Sequence, residues 1–220
     1  MVYINADSFR EALLLALSQQ SSCGAMPDGI LIHPDAQLKY INQVPHTDHN
    51  IWIPICLNAY LNETGNLAVL DELVSYADSD QEDSVFDHIQ AAMSWLIAQL
   101  DADNLSLINQ GDWCDPMNMV GYQGKGVSSW LSMATVWALK SWASLCDAIE
   151  NPSQAELWRQ HADKIEKAVN KIFWQGEWYA RGRSDNGRIF GTQDDVEGKI
   201  YSNPQSWAIV PRQRLSDQLA

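Results

Sequence analysis

Basic residues are scarce in this chain. Fourteen Lys and Arg stand against 28 Asp and Glu in 220 residues, a net charge of −14. Such a chain has no broad cationic face to neutralise phosphates, so nucleic acid is not an expected partner. Long apolar runs are missing as well. Nothing approaches the roughly 20 residues that cross a bilayer, and Met1–Arg10 has no basic region ahead of an apolar stretch, so neither a membrane span nor a signal peptide is expected. The four cysteines (Cys23, Cys56, Cys114, Cys146) are far apart and form no C-x-x-C pair. They read as free thiols in a reduced, cytoplasmic protein. Period-two alternation is rare, and internal repeats and low-complexity runs are absent. What the chain does have is apolar mass. Hydrophobic residues make up 46%, which excludes a disordered chain, and ten are Trp. An indole packs well between helices and also stacks on sugar rings; core packing accounts for most of the ten.

Helical spacing dominates the pattern. Asp7 or Ser8 can cap a helix through Phe9, Leu13, Leu14 and Leu17, with Ser8 and Glu11 as a capping box. Gly24, Pro27, Gly29 and Pro34 turn 21–37 into an ordered loop, with a short strand expected over 29–33. A second helix is expected from near Asp48 to Thr64, closed by Gly65. The acidic stretch 78–83 reads as a solvated connector, and Val85, Ile89, Met93, Leu96 and Leu100 repeat as on an amphipathic helix. Gly111, Pro116, Gly121, Gly124 and Gly126 make 104–126 a loop. The segment 127–150 is apolar nearly all round, the mark of a helix buried on most faces. Ser153 and Glu156 read as a capping box for a further helix carrying Trp158, Ala162, Ile165, Val169 and Ile172 inward, with Arg159, Lys164, Glu166, Lys167 and Lys171 outward. A buried helix followed by an amphipathic one is the alternation of an α/α toroid. Within 176–191, Asn186-Gly187 signals a β-hairpin. The expected fold is mainly α, part of an α/α toroid with a small β-hairpin and no internal domain boundary.

The densest chemistry lies in Gly111-Asp112-Trp113-Cys114-Asp115-Pro116-Met117-Asn118. Sugar chemistry needs a carboxylic acid to protonate the glycosidic oxygen and an aromatic face to hold the ring. This loop offers both. Asp112 and Asp115 fit equally well as loop caps that accept backbone N–H groups, and composition leaves the two readings open.

That stretch, followed by Val120-Gly121, Gly124-Lys125-Gly126 and Ser129-Trp130-Leu131, resembles the signature of glycoside hydrolase family 94. Thr47-Asp48-His49-Asn50-Ile51-Trp52-Ile53-Pro54 with Thr64-Gly65, Gly176-Glu177-Trp178-Tyr179, and Asn203-Pro204-Gln205-Ser206-Trp207-Ala208 resemble further family segments in the same order. The resemblance implies an inverting glycoside phosphorylase: phosphate, in place of water, attacks the anomeric carbon of a β-linked disaccharide. It implies Asp115 as the general acid. Asp48 and Trp113 would hold the sugar, with His49 and Gln205 also in the substrate site and Asp112 bracing the loop. A single protein carboxyl suffices because phosphate is already an anionic nucleophile. No metal or cofactor is implied beyond inorganic phosphate as co-substrate, and the family commonly forms homodimers.

Departures from the pattern at Cys114, Pro116, Val127 and His49 mark a subgroup. Met26-Pro27-Asp28-Gly29 with 43–49 looks most like the members that act on cellobionic acid, an aldonic-acid disaccharide. Family members are several hundred residues long. The resemblance therefore implies that the chain is the central part of the family's (α/α)6 toroid barrel, without the N-terminal β-sandwich, the C-terminal barrel helices or most phosphate-binding residues.

Other readings carry less. An inverting hydrolase would need a second carboxylate, Asp48 or Asp112, to activate water. A chain without the phosphate site would be an inactive fragment. His46, Asp48 and His49 form H-x-D-H, but no further cluster completes a metal site. Gly121–Gly126 lacks the hydroxyl residue and the preceding strand of a phosphate loop. Cys114 has no evident base to make it a nucleophile.

Overall fold

Asn5, not Asp7 or Ser8, opens the first helix. Its extended backbone (φ −153°, ψ 101°) lets its side chain accept the Ser8 N–H at 3.0 Å, which places Asp7 and Ser8 inside α1 (Ala6–Leu17). The computed structural model describes residues 2–33, 35–36, 46–114 and 117–209. The chain divides into two compact units, 1–45 with 49–95 and 46–48 with 96–220. One cut falls inside α3 (Val85–Ala98), an apolar helix with none of the Gly, Pro or polar composition that marks a linker.

In the first unit, α1 packs against α2 (His49–Thr64), which ends as expected at Gly65 with φ 63°. The strand expected over 29–33 does not form. Leu31 finds its backbone partners in a side chain instead: its N–H donates to Gln19 Oε1 (2.7 Å) and its carbonyl accepts from Gln19 Nε2 (2.9 Å). The acidic connector is in fact half of a hairpin, β1 (Leu73–Tyr76) paired antiparallel with β2 (Ser79–Ser84). The strand β2, Ser-Asp-Gln-Glu-Asp-Ser, has no buried residue and so no apolar alternation to read. Val74 and Tyr76 on β1 supply the buried face. Beneath them His88 of α3 is fully buried, 2.5 Å from Gln20 Oε1, and stacked on Tyr76 with ring centres 4.1 Å apart.

The second unit is built on two long helices, α4 (Ser129–Ala148) and α5 (Pro152–Phe173), which pack together more extensively than any other pair. As its composition requires, α4 buries 15 of its 20 residues, with Trp130 and Trp142 fully enclosed. It starts two residues later than its apolar pattern suggests, because Val127–Ser128 pairs as the short strand β3 and the Ser128 hydroxyl caps the helix on Leu131 N–H (3.0 Å). The amphipathic α5 turns Trp158, Ala162, Ile165, Val169 and Phe173 inward; Phe173 takes the buried place expected of Ile172. Its cap is Asn151 ahead of Pro152, not Ser153 with Glu156. The expected hairpin is present as β4 (Gly182–Arg183) and β5 (Ile189–Phe190), and β3 completes a three-stranded antiparallel sheet in the order β3-β4-β5. A short helix, α6 (Ser202–Trp207), follows. The fold is mainly α. All four cysteines are free thiols, and among the described residues no helix is long and apolar enough to cross a membrane.

Candidate active site

The glycine-rich loop 104–126 is closed at its base by the bridge between Leu107 and Val127 and by the Ile108 N–H on the Gly126 carbonyl (3.0 Å). Its far side folds around a carboxylate from the β4–β5 turn. Asp185 accepts the backbone N–H groups of Gln123, Lys125 and Gly126, each at 2.9 Å. Burial pushes this carboxyl up, yet the three N–H donors outweigh it and hold Asp185 below the ordinary carboxylate value. The glycine-rich stretch with the composition of a phosphate loop thus wraps the chain's own anion.

Asp112 sits at the loop's inner end, 0% exposed. Both of its oxygens lie 2.7 Å from Arg181 Nη2, and Oδ2 accepts the Ser128 hydroxyl at 2.6 Å. Arg181 Nη1 donates to that same hydroxyl oxygen at 2.9 Å, and Arg181 is itself 1% exposed. Oδ1 of Asp112 also accepts the Cys114 N–H (3.0 Å), an Asx turn that sets the backbone across Trp113. One buried ion pair, with the Ser128 hydroxyl, therefore joins three pieces: the loop, the strand β3 that caps α4, and the residue just ahead of β4. Sequence reasoning did not single out Arg181 or Ser128. The available signal was a cation between Ala180 and Gly182, small residues in a chain with few cations.

Trp113 stands out from this anchored turn, 56% exposed, at the end of an aromatic row. Its ring is 5.6 Å from that of Trp130 and tilted by 33°. Trp130 meets Trp207 edge-on at 5.5 Å, and Trp207 meets Trp137 at 5.9 Å. An exposed indole backed by a buried one, here Trp130, is a rigid flat surface of the kind a sugar ring stacks on.

Asp48 belongs to the same unit as this loop and is 3% exposed. Its neighbours strap it there. The Thr47 hydroxyl lies 2.9 Å from the Leu107 carbonyl, the Thr47 N–H reaches the Gly111 carbonyl at 3.4 Å, and the His46 ring lies where a side chain on Gly111 would have to go. The structure thus brings the segment 46–48 against the strand of loop that enters Asp112 and Trp113. His49 falls in the first unit, where its Nε2 lies 2.8 Å from Asp28 Oδ1. Gln205, on α6, is engaged at both ends by backbone: Nε2 donates to the carbonyls of Tyr179 (2.8 Å) and Tyr201 (3.0 Å), and Oε1 accepts the Tyr179 N–H (2.9 Å). Asp115 lies outside the described residues.

With this geometry in view, comparison with known proteins defines the class. Residues 1–218 match the family described as "Glycosyl hydrolase 94 superfamily, catalytic domain". The chain belongs to glycoside hydrolase family 94. Among its relatives, cellobionic acid phosphorylase of Neurospora crassa is 50% identical over 219 residues, covering 100% of this chain and 28% of that protein. The 3-O-beta-D-glucopyranosyl-beta-D-glucuronide phosphorylase of Paenibacillus borealis is 36% identical over 75% of this chain and 22% of that protein. The chain thus spans only 22–28% of the length of these relatives. Among solved structures, a rhamnosidase from Klebsiella oxytoca with rhamnose bound superimposes over 98% of this chain and 36% of that one, with a TM-score of 0.66 and 14% identity. At that identity the likeness is one of fold alone.

Proposed function

We propose that this chain is the central part of the (α/α)6 catalytic barrel of an inverting glycoside phosphorylase acting on a β-glucoside such as cellobionic acid. The observation that carries the reading is the 50% identity, over the whole chain, to a protein named cellobionic acid phosphorylase. Asp115 is the general acid. A phosphate oxygen bonds to the anomeric carbon as the bond from that carbon to the glycosidic oxygen breaks, and the Asp115 carboxyl proton passes to the departing oxygen. The products are glucose 1-phosphate of inverted configuration and gluconate. Trp113 stacks on the sugar ring, and Asp48 completes its binding. Asp112 and Gln205 serve the substrate site through the backbone each one holds.

The hydrolase alternative needs a second carboxylate to activate water. The enclosure of Asp112 by Arg181 and Ser128 speaks against that residue in the role and leaves Asp48. The two readings separate when the protein is incubated with cellobionic acid, with and without phosphate, beside an Asp115→Asn variant. The expected outcome is glucose 1-phosphate that requires phosphate and falls by roughly 100-fold or more in the variant. Free glucose formed without phosphate would replace the phosphorylase by a hydrolase. No turnover by folded protein would leave an inert chain.

A further inference from the structure

We infer that Arg181 is a positioning residue for sugar binding. Through Asp112 and Ser128 it sets both the turn that presents Trp113 and the helix turn that backs it with Trp130. This role rests on the reading of Trp113 as the surface on which the sugar ring stacks. Asp112 and Arg181 lie 69 residues apart in sequence and are 0% and 1% exposed. A buried ion pair is a poor device for stability alone, since an apolar pair of the same volume costs no desolvation. Here the pair also leaves Arg181 Nε buried without a hydrogen-bond acceptor among the described residues. What the pair supplies is direction. The Arg181 backbone is tied to the start of α4, its carbonyl accepting the Ser129 N–H at 3.1 Å and the Ser129 hydroxyl at 2.9 Å. From that fixed origin Nη2 reaches both Asp112 oxygens and Nη1 reaches the Ser128 hydroxyl. A hydroxyl has one donor and two acceptor sites, and Ser128 uses them all: it donates to Asp112 Oδ2 and accepts from Arg181 and from the Leu131 N–H. On one side of this cluster, Asp112 Oδ1 accepts the Cys114 N–H and closes the turn over Trp113. On the other, Ser128 caps α4, whose first turn carries the fully buried Trp130. The two indoles meet with ring centres 5.6 Å apart. An indole that first had to be ordered would bind a sugar more weakly; the fork orders it in advance. Lysine would keep the charge and lose the fork.

The test measures the dissociation constant for cellobionic acid by titration calorimetry without phosphate, where the proposed reaction does not run. It compares the wild type, Arg181→Lys, the paired change Arg181→Met with Asp112→Asn, Trp113→Ala, and Trp113→Ala combined with Arg181→Lys. Binding stoichiometry reports the folded fraction and Kd reports the site, so the two are read separately. The expected result is a Kd roughly 3–10-fold higher in Arg181→Lys and in the paired change. Without Trp113 there is nothing left to position, so adding Arg181→Lys to Trp113→Ala is expected to move Kd by less than about twofold. The paired change buries no unpaired charge and carries the test if Arg181→Lys does not fold. Wild-type Kd in these variants, at full or reduced stoichiometry, would make the cluster a brace for folding alone and overturn the inference. So would the full Arg181→Lys loss on top of Trp113→Ala. A wild type that does not bind cellobionic acid, or a Trp113→Ala variant that binds it as tightly as wild type, would instead overturn the reading of Trp113, and this inference with it.

Discussion

A side chain at Gly126 has nowhere to go. Its Cβ would lie 2.3 Å from the Val120 carbonyl oxygen and 2.6 Å from Gly121 Cα, and both are backbone atoms that cannot turn aside. The position is buried and its N–H is one of the three held by Asp185. Gly126→Ala is therefore expected to destabilise the protein by about 1–3 kcal/mol and to loosen the loop beneath Trp113, read as a lower midpoint in chemical denaturation. The same scale shows what could and could not be read from residue identity. The Gly-Asp-Trp-Cys-Asp run drew notice because carboxylates and an indole on a glycine-rich loop are a recognisable chemistry. Whether a given Asp serves as acid or as anchor depends on what faces it. Asp112 is an anchor by its partners, Arg181 and Ser128, and neither is near it in sequence.

At the scale of elements, helices were legible and their first residues were not. The apolar spacing of α4 and α5 placed both correctly, because a 3.6-residue period is written into the chain itself. Caps are a competition among neighbouring polar residues, decided by which one takes non-helical backbone just ahead of the first turn. Asn5 prevails over Asp7 and Ser8, and Asn151 with Pro152 prevails over Ser153. Asn151→Ala is expected to cost about 1 kcal/mol, while Ser153→Ala stays within about 0.5 kcal/mol; thermal unfolding of the two variants side by side checks the assignment. The hairpin β1–β2 was illegible for a different reason. All of its burial is on one strand, so β2 carries no apolar pattern and is held by backbone pairing to a partner that has one.

Over the whole molecule, two imidazoles shielded from water tie stability to pH. Burial lowers the His88 pKa below its ordinary 6.5, against the pull of the Val74 carbonyl. The folded state thus takes up a proton less readily than the unfolded one. This contribution is fully present above about 6.5 and is lost as pH falls from there through the lower folded value. His161, lowered by burial and by Lys164, acts in the same direction in the second unit. The denaturation midpoint of the wild type is expected to drop between pH 7.5 and pH 5.5, and His88→Gln to flatten that dependence. An equal drop in the variant would remove His88 as its source.

The sequence by itself determined the mainly helical class, the order and facing of the long helices, the family and the loop on which its chemistry is sought. Each of these is local, since period, turn residues and motif spacing are properties of neighbouring positions. The tertiary structure alone decided the division into two units, the hairpin hidden in acidic residues and the partners of the candidate site. It set Arg181 against Asp112, laid Thr47 along the strand leading into Trp113, and filled the glycine-rich loop with Asp185. The physical reason is desolvation. A charge or an N–H taken out of water must find its complement wherever the fold brings one, and nothing in the spacing of either partner records that meeting.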